Sequence, residues 1–236
     1  MSVTVAALRR NSCAHSARLL IFGRLVPAGF FAWLAYQQSL RLGGDVQVLP
    51  KPVTVIALVG GALPAALYLA FCGIPVFIYL GRPAPRARDG RLAPRTLALI
   101  GTLMVLIVGA LPQGVSLYTP AGWTRGLSTG LSILAFTVII YALAYLRRNL
   151  SLMPEARQLV VGGPYRAIRH PLYAAEILAA LAYVIGYPTL TSAAVLMLFI
   201  AVQLVRSRFE EHLLSEVFPQ YRGYASQTRR LIPLVW

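Results

Sequence analysis

Residues 172–205 read LYAAEILAALAYVIGYPTLTSAAVLMLFIAVQLV. As one helix rising 1.5 Å per residue, this run would be ~50 Å long, well beyond the ~30 Å of hydrocarbon in a bilayer. Gly186-Tyr187-Pro188-Thr189 breaks it near the middle, and Gly with Pro in an apolar run is a strong turn signal. The stretch therefore predicts a helical hairpin with arms Leu172–Ile185 and Leu190–Val205, both short for a full crossing. An all-α integral membrane protein is the fold class that such a hairpin implies.

The rest of the chain agrees. Of 236 residues, 58% are hydrophobic and only 12% are charged, with mean hydropathy +0.67; soluble domains carry about 25% charged residues. Apolar segments at Leu19–Tyr36, Val53–Leu80, Thr96–Leu111 and Leu127–Leu146 raise the expectation to about six transmembrane helices. Pro64 and Pro75 predict a kink or tilt in the second segment. Arg24 interrupts the first and can snorkel to the interface. With no clear cleavage site after it, a signal peptide is not expected there.

Net charge is +15, nearly all from arginine. Arginines crowd the loops after the second segment (Arg82, Arg86, Arg88, Arg91, Arg95) and after the fourth (Arg147, Arg148, Arg157, Arg166, Arg169), whereas the 112–122 loop and the 186–189 turn carry no charge. The positive-inside rule accounts for this placement with both termini cytoplasmic, and leaves nucleic acid as a remote second reading. Arginine outnumbers lysine 21 to 1, a bias of GC-rich genomes that points to a bacterial inner membrane. Residues 1–236 are expected to form a single polytopic domain, with four spans over 19–146 and a C-terminal region over 147–236. Arg82–Arg95 reads as an irregular Pro/Arg-rich linker. Cys13 and Cys72 have no metal-binding spacing, and neither a disulfide framework nor a metal site is expected.

Two polar clusters flank the hairpin on its basic side. Before it runs Gly163-Pro164-Tyr165-Arg166-Ala167-Ile168-Arg169-His170-Pro171-Leu172-Tyr173, and after it Arg206-Ser207-Arg208-Phe209-Glu210-Glu211. Gly162-Gly163-Pro164 predicts a tight turn, and Pro171 suits the first turn of a helix. The positive end of that helix would favour a carboxylate. A belt of Tyr and Arg at a membrane boundary needs no ligand, and it is the simpler account of Arg166. Glu176 is an ionisable group inside a membrane helix, equally readable as functional or as a helix-entry carboxylate. Arg206 and Glu210 share a helix face, where a plain i,i+4 ion pair is the bland reading. Phe218–Tyr224 and the Arg229-Arg230 tail predict an amphipathic segment at the membrane surface. Dinucleotide, phosphate-loop, zinc and nucleophile-elbow motifs are absent.

Gly163-Pro164-Tyr165, Arg169-His170-Pro171-x-Tyr173, Arg206-x-x-x-Glu210-Glu211 and Tyr221-x-x-Tyr224, in that order, resemble the isoprenylcysteine carboxyl methyltransferase family, which belongs to a wider group with the membrane phospholipid N-methyltransferases. The resemblance runs from about Leu159 to the C-terminus. It implies a membrane-embedded enzyme that uses S-adenosylmethionine, bound at the cytosolic end of the last helices. By the same resemblance, Leu159 and Val160 contact cofactor by backbone. Tyr165, His170, Pro171, Tyr173 and Glu210 fall at cofactor-pocket positions, and Arg206 at one linked to the methyl acceptor. Two departures stand out. Ala175 replaces a common Gly and is expected to tighten the pocket, and Arg157-Gln158 occupy a region where eukaryotic members place a cofactor-binding His.

A carboxylate acceptor is already ionised at neutral pH and needs no base. The expected reaction is thus methyl transfer to the carboxylate of an isoprenylcysteine-like lipophilic or lipidated acceptor reached from the bilayer. Arg206 would orient that carboxylate, Glu210 would hold cofactor, and the basic loop would take the cofactor's carboxylate. Methylation of a phospholipid or other lipophilic amine or thiol is the alternative, with Glu210, Glu211 or His170 as base for an amine. A non-enzymatic transporter or assembly factor is the second alternative.

Overall fold

The computed structural model describes residues 20–47, 58–107 and 114–232. The expected segment starts at Leu19 and Val53 and the expected end at Leu111 lie outside them. Among the described residues there are seven α-helices: α1 (Val26–Gln47), α2 (Leu63–Gly81), α3 (Leu92–Ile107), α4 (Gly122–Leu146), α5 (Pro171–Gly186), α6 (Leu190–Val217) and α7 (Tyr221–Gln227). Three stretches among the described residues are long and apolar enough to cross a membrane: Leu58–Gly81, Gly122–Asn149 and Leu190–Val217.

Proline shapes the starts of the first two helices. Ile21–Leu25 and Leu58–Ala62 are π-helical turns that run directly into α1 and α2, just ahead of Pro27 and Pro64. Proline has no N–H to close an α-type bond, and the turn before Pro27 closes instead from Val26 N–H to the Ile21 carbonyl. Pro75 is buried inside α2, which continues through it to Gly81.

Helix α4 packs along α5, α2 lies against both α1 and α4, and α3 lies against α6. Ala28, Phe31, Tyr79, Ile139, Leu143 and Ala175 form the buried centre of the first group. Met104, Phe199 and Val202 join α3 to α6. The turn between α5 and α6 is held from both sides. Thr189 and Ser192 form a capping box at the start of α6, a device that satisfies two orphan helix donors at once. Leu117 N–H donates to Pro188 O (2.7 Å) and Leu190 N–H to Val115 O (2.9 Å).

Two expectations change. The Arg82–Arg95 stretch is less irregular than its composition suggests. Ala87–Arg88 (β1) pairs antiparallel with Glu155–Ala156 (β2), with Ala87 opposite Ala156, and α3 already begins at Leu92. The last long helix runs on past Val205 to Val217, because Arg206–Val217 keeps good helix formers after the apolar stretch ends. Arg206, Glu210 and Glu211 therefore sit within α6, on a rigid element.

Candidate active site

The N-terminal end of α5 and the C-terminal half of α6 bring the two polar clusters together. His170 caps α5, and its ring stacks on Tyr173, 5.5 Å between centroids and 3° between planes. Tyr173 donates its hydroxyl to Glu210 Oε1, while His170 Nδ1 lies 3.7 Å from Glu210 Oε2. Arg206 lies over the Tyr173 ring, its Cζ 5.0 Å from the centroid, in cation–π geometry. It forms no ion pair with Glu210. Arg206 Nη1 donates to Gln203 Oε1 (3.0 Å), and Gln203 Nε2 donates to Glu176 Oε2 (2.5 Å). A polar chain thus runs Arg206–Gln203–Glu176 across the α5–α6 contact.

Gly101 on α3 makes room for Arg206. A Cβ there would meet Arg206 Nη1 at 2.9 Å and Val202 Cγ1 at 3.1 Å. Gly163 does the same for the loop before α5. Its φ is +57°, and a Cβ would strike the Tyr145 ring at 2.6 Å. Only glycine combines that backbone with that approach.

The C-terminal segment folds back onto the site instead of presenting an independent amphipathic face. Arg169 N–H donates to Arg229 O (2.7 Å) and His170 N–H to Arg230 O (3.0 Å). Tyr224 donates its hydroxyl to Tyr165 O (2.6 Å). Glu211 is the anchor: Arg169 Nε (2.7 Å), His170 Nε2 (3.2 Å) and Arg230 Nη2 (2.6 Å) all converge on it. Arg169 and Arg230 are therefore committed to a protein carboxylate. Burial, reinforced by Glu210, pushes the Tyr165 phenol well above its ordinary value; burial and then Glu211 do the same to Tyr221. Both remain hydrogen-bond donors at any physiological pH.

One cavity of about 1190 Å³ gathers these groups. Leu159, Val160, Tyr165, His170, Tyr173, Arg206 and Glu210 all stand on its wall. Pro171 does not; it is buried at the first position of α5, where its missing N–H leaves no orphan donor. Ala175 is also off the wall, packed in the core near Tyr79 and Ile139, so it does not tighten the cavity. Beyond Arg206 the cavity continues between the helices past Phe30, Tyr68, Phe71 and Phe136. Sequence reading missed Gln203, although a glutamine in an apolar run opposite Glu176 is the signal for it. It also missed Glu155, which draws Arg82, Arg88 and Arg157 together.

Two comparisons with known proteins bear on this chain. An 82-residue stretch, 34% of the chain, is 35% identical to the nickel-cobalt-cadmium resistance protein NccN of Alcaligenes xylosoxydans xylosoxydans, and spans 38% of that protein's length. The sequence model of the phospholipid methyltransferase family matches residues 118–221, from just before α4 to the start of α7. That range contains the α5–α6 site and most of the motifs that carried the resemblance, with Tyr224 just beyond it, and this region of the chain is similar to the phospholipid methyltransferase family, the group that includes the isoprenylcysteine carboxyl methyltransferases.

Proposed function

We propose that this chain is a membrane-embedded, S-adenosylmethionine-dependent methyltransferase acting on the carboxylate of a lipophilic acceptor of the isoprenylcysteine type. The observation that carries this reading is Arg206. Its residue exposure is 8%, it lines the cavity, and among the described residues it has no ion pair. Glu176 and Glu210 stand near it but beyond ion-pair distance, so the buried guanidinium is only partly compensated, and burying a charge without close pairing is costly. An acceptor carboxylate would supply the close counter-ion through charge-assisted hydrogen bonds.

The residues present fit the cofactor. The Tyr165, His170 and Tyr173 rings suit a sulfonium cation and an adenine, the Glu210 carboxylate can accept from hydroxyl or ammonium groups, and the buried Tyr221 hydroxyl on the same wall lacks a protein partner. When bound, S-adenosylmethionine supplies an activated methyl group for in-line displacement. Leu159, Val160, Tyr165, His170 and Tyr173 would hold it, with Glu210 fixed in place by Tyr173 and His170. Arg206 aligns the acceptor carboxylate, which is ionised at neutral pH and needs no base. Tyr173 under the guanidinium and Gln203 beside it restrict Arg206 to one orientation, so that proximity and water exclusion are the protein's contributions. The aromatic wall at Phe30, Tyr68, Phe71 and Phe136 takes the apolar part of the acceptor.

In this reading the six helices α1–α6 cross the bacterial inner membrane, with both termini cytoplasmic. The arginine-rich ends of α2, α3 and α4 then lie on the cytoplasmic side and the uncharged 114–121 and 187–189 loops on the other. A lipophilic amine, including a phospholipid headgroup, is the second reading. Glu176 favours it, as a carboxylate on the cavity wall that can act as base.

Purified protein given methyl-labelled S-adenosylmethionine decides between them. A prenylcysteine analogue and a total lipid extract serve as separate acceptors. Label released from product by mild base marks a methyl ester, as proposed. Base-stable label in the lipid fraction selects the second reading. No transfer, with no cofactor binding by calorimetry, removes the enzyme.

A further inference from the structure

The cavity wall changes character at the end away from Glu210. Gln37, Gln38 and Arg41 on α1, Ser128 and Ser132 on α4 and Tyr183 on α5 line it there, whereas Phe30, Phe71 and Phe136 line its middle. The wall is thus polar at Arg206 and Glu210, apolar between, and polar again at the far end. Outside the cavity the same helices are apolar: Leu40 on α1, Leu127 and Leu134 on α4 and Leu181 on α5 are exposed. A membrane-interface belt turns its polar groups outward, toward headgroups and water. Here they are turned inward, as in a ligand site where a few polar groups fix orientation in a largely apolar pocket.

Helix α2 measures the distance between the two polar ends. Tyr79 accepts from Leu152 N–H (2.6 Å) at the site end and is within electrostatic reach of Arg206. Tyr68 stands three turns earlier on the same face of α2, ~16 Å away along the axis. Arg41 is within electrostatic reach of the Tyr68 hydroxyl, and Gln38 Nε2 donates to Ala65 O (3.5 Å), which ties α1 to α2 at this level. The Tyr68 ring packs on Phe136, 5.4 Å between centroids, and Phe136 is one turn from Ser132 on α4. Ser128 Oγ donates to Ala182 O (2.7 Å), which brings the neighbouring Tyr183 to the same end. Among the described residues, Gln37, Ser132 and Tyr183 make no side-chain hydrogen bond. Uncommitted donors beside a guanidinium suit a group rich in acceptor oxygens.

We propose that this far end is a second polar subsite and that the acceptor is bipolar, a lipophile with its methyl-accepting carboxylate at Arg206 and an oxygen-rich polar group at the other end, held by Arg41, Ser132 and Tyr183. The proposal rests on the methyltransferase reading for the chemistry at Arg206, and it adds to that reading the acceptor's second end. The aromatic zone takes the chain between the two ends, and the ~16 Å along α2 sets the length of that chain.

Calorimetry on the full chain in detergent tests it, with hexadecanedioic acid and hexadecanoic acid as bipolar and single-headed probes. The readout is the ratio of their affinities, compared between wild type and variants, so that partition of each acid into micelles cancels. Arg41→Gln should lower the preference for the diacid about fivefold, the scale of an ion pair at an exposed arginine. Ser132→Ala should lower it by roughly threefold, as for a neutral hydrogen bond. Arg41→Lys keeps the charge and should stay within about twofold of wild type. A ratio unchanged in both Arg41→Gln and Ser132→Ala overturns the subsite, as does binding of neither acid by wild-type protein. Binding needs no methyl transfer. Absence of labelled product from every acceptor, with the Arg41 effect on binding intact, therefore overturns the methyltransferase reading and leaves a binding site for bipolar lipophiles.

Discussion

Arg206 and Glu210 are one helical turn apart on α6 and share Tyr173, but their other partners differ, and separate roles follow. Glu210 is tied to Tyr173 and His170, at the side of the cavity where Val160 and Tyr165 stand. Arg206 is tied through Gln203 to Glu176 and stacks on Tyr173. Arg206→Gln is therefore expected to lower kcat/KM for the acceptor by about 100-fold, the scale of a lost charge-assisted contact in a water-excluded site. Cofactor affinity, measured by calorimetry, should stay within about twofold. Glu210→Gln should do the opposite first, weakening cofactor by roughly 10-fold or more before any effect on acceptor KM. A common loss of both affinities in both variants would mean that the two residues act as one unit. Gln203→Leu adds a milder case. It removes no charge but frees Arg206 from Glu176, so the expected outcome is a lower kcat with little change in cofactor binding, the pattern of a positioning residue.

The helices and strands fix how closely these side chains can approach, and at two places glycine sets the limit. Gly163→Ala faces both a left-handed backbone, worth about 1–2 kcal/mol against an L side chain, and the Tyr145 ring 2.6 Å from its Cβ. Thermal unfolding in detergent should show a loss at or above that range. Adding Tyr145→Ala should recover the steric part and leave the backbone part, and full recovery would show that φ +57° carries no strain here. The positions of the apolar helices were legible because hydrophobic run length and Gly/Pro punctuation are local signals: Gly186–Thr189 marked the turn, and Pro171 the start of α5. The β1–β2 pair was not legible, since two residues of strand carry no period and their partners are almost seventy positions apart. In the site, Tyr173, Arg206 and Glu210 stood out as polar groups at the ends of apolar runs. The commitment of Arg169 and Arg230 to Glu211 did not, because nothing local in the sequence says that the C-terminal tail returns to α5.

Across the whole molecule, a chain of net charge +15 has only seven carboxylates, and several of them bind segments far apart in sequence. Glu211 joins α5 and the C-terminal tail to α6. Glu155 joins the 82–88 stretch to 155–157. Burial pushes the Glu155 carboxyl up, but Arg157, Arg88, the Ser151 hydroxyl and Arg82 outweigh it and hold it below the usual 4.5. Asp89 is shifted the same way: burial raises it, and hydrogen bonds from Arg91 prevail. A folded-state value below the unfolded one means that each group stabilises the protein fully above the unfolded value of about 4. That stabilisation is lost as pH falls from there through the lowered folded value. Unfolding temperature in detergent should thus be insensitive to Glu155 between pH 6 and about 5 and fall steeply below about pH 4. Glu155→Gln removes one carboxylate from three arginines and leaves their charges uncompensated, so a loss of roughly 3–5 kcal/mol is expected at neutral pH. The acid limb of that variant should be shallower than wild type, because one proton fewer is taken up on unfolding to the acid state. An acid limb of unchanged slope would locate the acid sensitivity elsewhere and leave Glu155 as a neutral-pH contributor only.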